Sequence, residues 1–129
     1  MEKGYLLDTN ILIYFLNDQI PEDAYQTVKD MIKQSFNISI ITKLELLGWN
    51  KYTEDDFAAT KIFLSNASVI NINDNIVDAT IDVMRKNKLD LADAIIAVTA
   101  MNNNLTLVTR NTKDFNKVDS LDIYNPFNI

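Results

Sequence analysis

GYLLDTNILIYFLN, residues 4–17, changes its period in the middle. GYLLD (4–8) is short, apolar and closed by an acid, as a buried strand is. TNILIYFLN (9–17) has helical spacing, with Thr9 and Asn10 as starters. A buried strand that runs straight into a helix is the first half of a unit whose next strand lies parallel to the first.

The alternation continues along the chain. PEDAYQTVKDMIKQ (21–34) is an amphipathic helix with Pro21 in its first turn. NISI (37–40) is a second strand. TKLELLGWNKY (42–52) is a helix that Gly48 interrupts or ends, and EDDFAATKIFLS (54–65) is another. SVINI (68–72) is a third strand. NDNIVDATIDVMRKNK (73–88) is a helix with Ile76, Val77, Thr80, Ile81 and Met84 on one face and basic residues in its last turn. LADAIIAVTAMNNN (91–104) is an apolar central helix, and LTLVT (105–109) and LDIYN (121–125) are the last two strands. Strands separated by helices predict an α/β fold: one domain, residues 1–129, with a parallel sheet covered by helices on both faces. Ligands of such sheets bind beyond the carboxyl ends of the strands, where the strand order reverses.

Composition narrows the chemistry. The chain has no Cys and no His, which excludes thiolate zinc sites, cysteine nucleophiles and the usual histidine bases. Its two Gly, Gly4 and Gly48, cannot build a phosphate loop or a dinucleotide fingerprint. An enzyme of this composition works with carboxylates, hydroxyls, Lys/Arg and a hard cation bound through oxygen. The net charge is −6, with 14 Asp among 18 acids. That is the wrong sign for a nucleic-acid binder unless a bound cation inverts the field locally. No apolar run reaches membrane-spanning length, and MEKGYLLDTN breaks the apolar stretch of a signal peptide, so a cytoplasmic protein is expected.

The acids that follow strands or open helices are therefore the candidates, and each also has a structural reading. Asp8 ends the first strand and is a favoured helix cap. Thr42 and Glu45 have the spacing of a capping box, with Thr42 as the cap. In LDLADAIIA (89–97), Asp90 serves as the cap of the central helix, but everything after Asp93 is apolar. A charge carried into a buried helix needs a partner or a metal. RNTKDF (110–115) reads as a turn that brings Asn111 and Asp114 past the end of the fourth strand. Together Asp8, Glu45, Asp93 and Asn111 or Asp114 can converge on one cleft of oxygen ligands. Such a cluster repels itself unless a divalent cation such as Mg²⁺ or Mn²⁺ neutralises it, and water activated by that cation is then the natural nucleophile.

LLDTNILI, SIITKLELLGW, LADAIIAVTA and LTLVTRNTKDF with the ending LDIYNPF resemble, in order and spacing, the PIN-domain ribonucleases, in particular the VapC/FitB-type toxins of bacterial toxin–antitoxin pairs. The resemblance runs from Gly4 to Phe127. It implies a three-layer α/β/α PIN-like fold with a five-stranded parallel sheet and Mg²⁺- or Mn²⁺-dependent endonucleolytic cleavage of RNA. It also implies a cognate antitoxin whose C-terminal segment covers the active site, and assembly as a homodimer or toxin–antitoxin hetero-oligomer. Carried over, Asp8, Glu45 and Asp93 match the family's metal-binding acids. Many relatives have Asp directly after the Thr-Arg pair, where this chain has Asn111, so Asn111 or Asp114 is left to complete the set. Asp8 and Asp93 would then contact the cation, with the other two positioning the waters around it. Thr9 and Thr109 are candidates to hold the acids or a phosphate. Lys43, Arg85, Lys86, Lys88 and Arg110 are candidates for RNA backbone contacts, Arg110 first by proximity.

Three alternatives stand beside this reading. A haloacid-dehalogenase-type phosphatase wants an acid two places after Asp8, where this chain has Asn10. A receiver domain wants an acceptor Asp after the third strand, which IN-IND does not fit. A catalytically weak or inactive PIN-like domain that binds RNA or a protein is the non-enzymatic possibility. Tyr14, Phe15, Trp49, Tyr52 and Phe57 are candidates for a groove that takes a partner's helix, or else belong to the core.

Overall fold

The computed structural model describes residues 3–127, so the outermost ends of the expected domain, 1–2 and 128–129, lie outside the described residues. All five expected strands form, each trimmed to its hydrogen-bonded centre: β1 (Tyr5–Leu7), β2 (Asn37–Ser39), β3 (Ser68–Ile70), β4 (Thr106–Val108) and β5 (Ile123–Tyr124). They make one sheet in the order β3-β2-β1-β4-β5, with every pairing parallel. The helices are α1 (Thr9–Leu16), α2 (Glu22–Gln34), α3 (Ile40–Leu47), α4 (Glu54–Leu64), α5 (Asp74–Lys86), α6 (Leu91–Asn102) and α7 (Thr112–Phe115).

The alternation of side chains along a strand divides the core into two. Leu7, Ile38 and Val108 point to a cluster with Ile11, Leu12 and Val28. Leu6 and Leu107 point the other way, to Ile96, Ala97, Ala100 and Phe115. Two apolar layers on opposite faces of one sheet are the three-layer α/β/α arrangement. α6 is apolar all round because it is buried all round: every residue from Ala94 to Ala100 is buried, and Thr99 spends its hydroxyl on the Ile95 carbonyl at 2.7 Å. β1 lies between β2 and β4, so the strand order reverses between β1 and β4. The carboxyl end of β1 is Asp8, and that of β4 is Thr109.

The structure departs from the sequence reading in three places, at α3, after β4 and on α5, and decides between the two roles left open for Gly48. α3 starts two residues early, capped by Ser39 whose Oγ accepts from Ile41 N; Thr42 is therefore inside the first turn and buried, and the expected capping box is absent. Gly48 ends α3 rather than interrupting it: a Cβ there would stand 2.6 Å from the Leu44 carbonyl oxygen. The stretch read as a turn after β4 contains the short helix α7, capped by Asn111. The apolar face expected on α5 is split, with Ile76 and Thr80 buried while Val77, Ile81 and Met84 remain exposed.

Thr80 carries the one buried side-chain polar atom without a hydrogen-bond partner among the described residues. A stranded buried hydroxyl costs stability, and an isosteric methyl costs none. Thr80→Val is expected to raise the unfolding free energy by about 1 kcal/mol. Paired urea unfolding curves check this, and a loss of similar size would mean that the hydroxyl has a partner in solution.

Candidate active site

Asp8 is the centre of the cleft. It leaves β1 at the switch point and is only 4% exposed. Its backbone is extended, so it takes the cap position of α1, and its Oδ1 accepts from Thr9 N at 2.8 Å. Its other oxygen, Oδ2, accepts from the Thr109 hydroxyl at 2.8 Å and from Asn10 Nδ2 at 3.2 Å. The carboxylate thus joins β1, the start of α1 and the end of β4. Asn10, which sequence reading treated only as a helix starter, holds both Asp8 and Thr109. The Asp-x-Asn spacing of LDTN was the available signal.

Glu45 is exposed on α3, and a single hydroxyl anchors it: Thr9 Oγ1 donates to Glu45 Oε1 at 2.6 Å and lies 3.0 Å from Thr42 Oγ1. Thr42 is thus a support for the site rather than the cap of its own helix. Asp93 is half-buried in the first turn of α6. Asp90 occupies the cap position of α6 in its backbone, but its exposed side chain makes no capping hydrogen bond. Asn111 caps α7 and exchanges amide contacts with Asp114, Nδ2 to Oδ2 at 3.2 Å and Asp114 N to Asn111 Oδ1 at 3.5 Å. Asp114 also pairs with Lys117 at 3.6 Å.

Thr109 is fully buried, and its oxygen also accepts from Asn111 N at 3.0 Å. Arg110 is exposed, and its backbone N–H donates to Asn10 Oδ1 at 3.4 Å. Lys43, Arg85, Lys86 and Lys88 are exposed and make no ion pair among the described residues.

The acids act on one another through their fields. Burial pushes the Asp8 carboxyl from 3.8 up to about 6; the Thr109 and Thr9 hydrogen bonds pull it down, and Asp93 and Glu45 push it further up. Asp93 is raised as well, by burial first and then by Asp90, Asp114 and Glu45. No three carboxylates among the described residues already stand together as a cage. What the cleft concentrates is negative potential around a buried carboxylate, with oxygen as its only donor type. A hard divalent cation fits that donor set and relieves that field.

Beside Glu45 opens a groove of about 640 Å³, lined by Ile13, Leu16, Leu46, Trp49 and Tyr52. Of the aromatics singled out in the sequence, Trp49 and Tyr52 line it, meeting edge-on at 4.9 Å, and Phe57 touches Tyr52 from outside. Phe15 does not belong to it: its ring stacks on Tyr25 and Phe63. Tyr14 turns instead to Phe127. The α1 face on the groove is Ile13 and Leu16, because residues three apart share a helix face.

The PIN domain family model matches residues 5–121. Ribonuclease VapC2 of Rickettsia felis is 29% identical over 130 residues, spanning 94% of this chain and 96% of that protein. A chain of the toxin–antitoxin complex from Klebsiella pneumoniae superposes with a TM-score of 0.80 at 35% identity, covering 98% of this chain and 100% of that one. A chain of VapBC2 from Rickettsia felis, bound to a DNA fragment from their promoter, does so with a TM-score of 0.80 at 28% identity over 94% of this chain and 97% of that one. No helix among the described residues is long and apolar enough to cross a membrane.

The raised Asp8 predicts how metal-free stability depends on pH. A carboxyl whose folded pKa lies above its unfolded value stabilises the fold fully below the unfolded value. That contribution is lost as pH rises through the folded one. In EDTA, Asp8→Asn is expected to unfold at the same temperature as the unsubstituted chain near pH 4. By pH 7.5 it should be the more stable of the two, by about 2–3 kcal/mol. Thermal unfolding across pH 4–8 checks this; a gap that does not grow with pH contradicts it.

Proposed function

Since the chain belongs to the PIN-domain family, we propose that it is the toxin of a toxin–antitoxin pair and a divalent-cation-dependent endoribonuclease of the cytoplasm. The observation that carries this reading is the nearly inaccessible Asp8 carboxylate, raised to about 6 by burial first and pushed further the same way by Asp93 and Glu45. A chain without His or Cys has no ordinary base to place there, and a cation relieves carboxylates that are ionised at neutral pH with no other compensation.

Asp8 and Asp93 would hold Mg²⁺ or Mn²⁺, with Glu45 and Asp114 at its flanks. Asp114 is preferred to Asn111 as the fourth group: it carries charge and already acts on Asp93, whereas the Asn111 amide is engaged in capping α7. When bound, the cation would neutralise charge on the scissile phosphate and lower the pKa of a coordinated water. The chain supplies the rest. Thr109 and Thr9 fix both oxygens of Asp8, so its orientation is set before substrate arrives. Thr9 also tethers Glu45 on the exposed side, where a water attacking in line with the departing 3′ oxygen needs an acceptor. Hydrolysis in this sense leaves a 5′-phosphate and a 3′-hydroxyl.

The groove beside Glu45 is where an antitoxin segment would dock. Solved relatives at 35% and 28% identity come from a toxin–antitoxin complex and from VapBC2. An apolar trough whose wall includes a site carboxylate lets one bound peptide both anchor and obstruct.

Two measurements test these readings. On an RNA pool with Mn²⁺, Asp8→Asn and Asp93→Asn are each expected to lose about 100-fold or more of the cleavage rate, while Asp90→Asn keeps it within about threefold, its exposed side chain making no capping bond. Equal losses at 90 and 93, or none at 93, would contradict the assignment. For the groove, Trp49→Ala is expected to weaken antitoxin binding about 30-fold, as a buried aromatic anchor does. Unchanged affinity in a calorimetric titration would place the antitoxin elsewhere.

A further inference from the structure

The ending YNPF, residues 124–127, builds a device at the rim of the cleft. β5 brings Tyr124 beside β4, where its carbonyl accepts from Thr109 N at 3.0 Å. Asn125 Oδ1 then accepts from Phe127 N at 2.9 Å, closing a turn around the buried Pro126. The turn delivers the Phe127 ring to Arg110, whose guanidinium carbon lies 4.6 Å from its centroid. The Tyr14 ring closes on the same guanidinium at 5.1 Å, and the two rings meet edge-on at 5.4 Å.

Three features make this more than packing. Arg110 is exposed, and in a chain with 18 acids it pairs with no carboxylate among the described residues. Aromatic faces hold its charge without consuming its N–H donors, so the fork stays free for an outside anion. Its place is also tied to the carboxylates: Thr109, the preceding residue, grips Asp8. Asn10, which holds the Arg110 backbone, grips Asp8 too, and Tyr14 stands one helical turn beyond Asn10 on α1. The clamp therefore sets one cation, in a chain of net charge −6, beside the residues that grip Asp8.

We propose that Tyr14 and Phe127 are positioning residues that hold Arg110 ready for an RNA phosphate next to the scissile one. The proposal rests on the ribonuclease reading above. A free arginine loses its rotamer freedom when it grips a phosphate; one already stacked lost it on folding.

The test is steady-state cleavage of a single-stranded RNA with Mn²⁺ over a series of NaCl concentrations. Arg110→Ala should raise KM about tenfold with a smaller effect on kcat. It should also reduce the slope of log(1/KM) against log salt by about 0.7, one phosphate contact on a single strand. Phe127→Leu should raise KM about 2- to 10-fold and leave the slope unchanged, because the charge stays but its placement is lost. Phe127→Trp, which restores a face for the cation, should return KM to the original value and guards against a Leu variant that fails to fold. Unchanged KM and slope in Arg110→Ala would overturn the phosphate contact. Unchanged KM in Phe127→Leu, or failure of Trp to rescue, would overturn the clamp. No cleavage by the unsubstituted chain would overturn the ribonuclease reading and this proposal together.

Discussion

The structure turns on a buried carboxylate at the point where the sheet changes direction. Asp8 sits at the carboxyl end of the central strand, and its oxygens take hydrogen bonds from α1 through Thr9 and Asn10 and from β4 through Thr109. Three donors do not offset the loss of water, and the carboxyl remains raised to about 6. The fold thus keeps an acid where burial and neighbouring charge both oppose ionisation. Below about pH 6 a proton relieves that strain, and above it positive charge from outside does.

The hydroxyls carry the constraint outward. Thr9 is the residue through which Asp8 and Glu45 are linked: its N–H serves one and its Oγ1 the other, with Thr42 behind it. Thr109 does the same on the opposite side, holding Asp8 with its hydrogen while its oxygen accepts the Asn111 N–H that opens α7. Threonine suits both places. It is β-branched and fits a strand end or a buried helix start, yet brings a donor and an acceptor on one short arm. Acids from β1 and α3 are thereby held together, while Asp93 on α6 acts on Asp8 through its field alone.

Much of this was legible in the sequence because burial imposes period. The short apolar strands, the amphipathic α2 and the apolar α6 follow from where water is excluded, and they place Asp8 and Asp93 at one end of the sheet. Local capping was less legible, because several polar residues compete for each helix start. Ser39 outcompeted Thr42, since β2 runs into α3 without a loop. Asp90 took the cap's place but not its bond. α7 is too short to show a period, and its Asn111 cap has the composition of a turn. The division of the aromatics was hidden for a different reason. Ile13 and Phe15 are neighbours in sequence but face opposite ways, one to the groove and one to the core.

For the cleft to work as proposed, a divalent cation must sit between Asp8 and Asp93. The most direct measurement is an anomalous difference map from crystals of the protein soaked in Mn²⁺. A single dominant peak is expected within coordination distance, about 2.0–2.2 Å, of an oxygen of each of those two residues. A Mn²⁺ bound elsewhere, with the cleft between Asp8 and Asp93 empty, would contradict it.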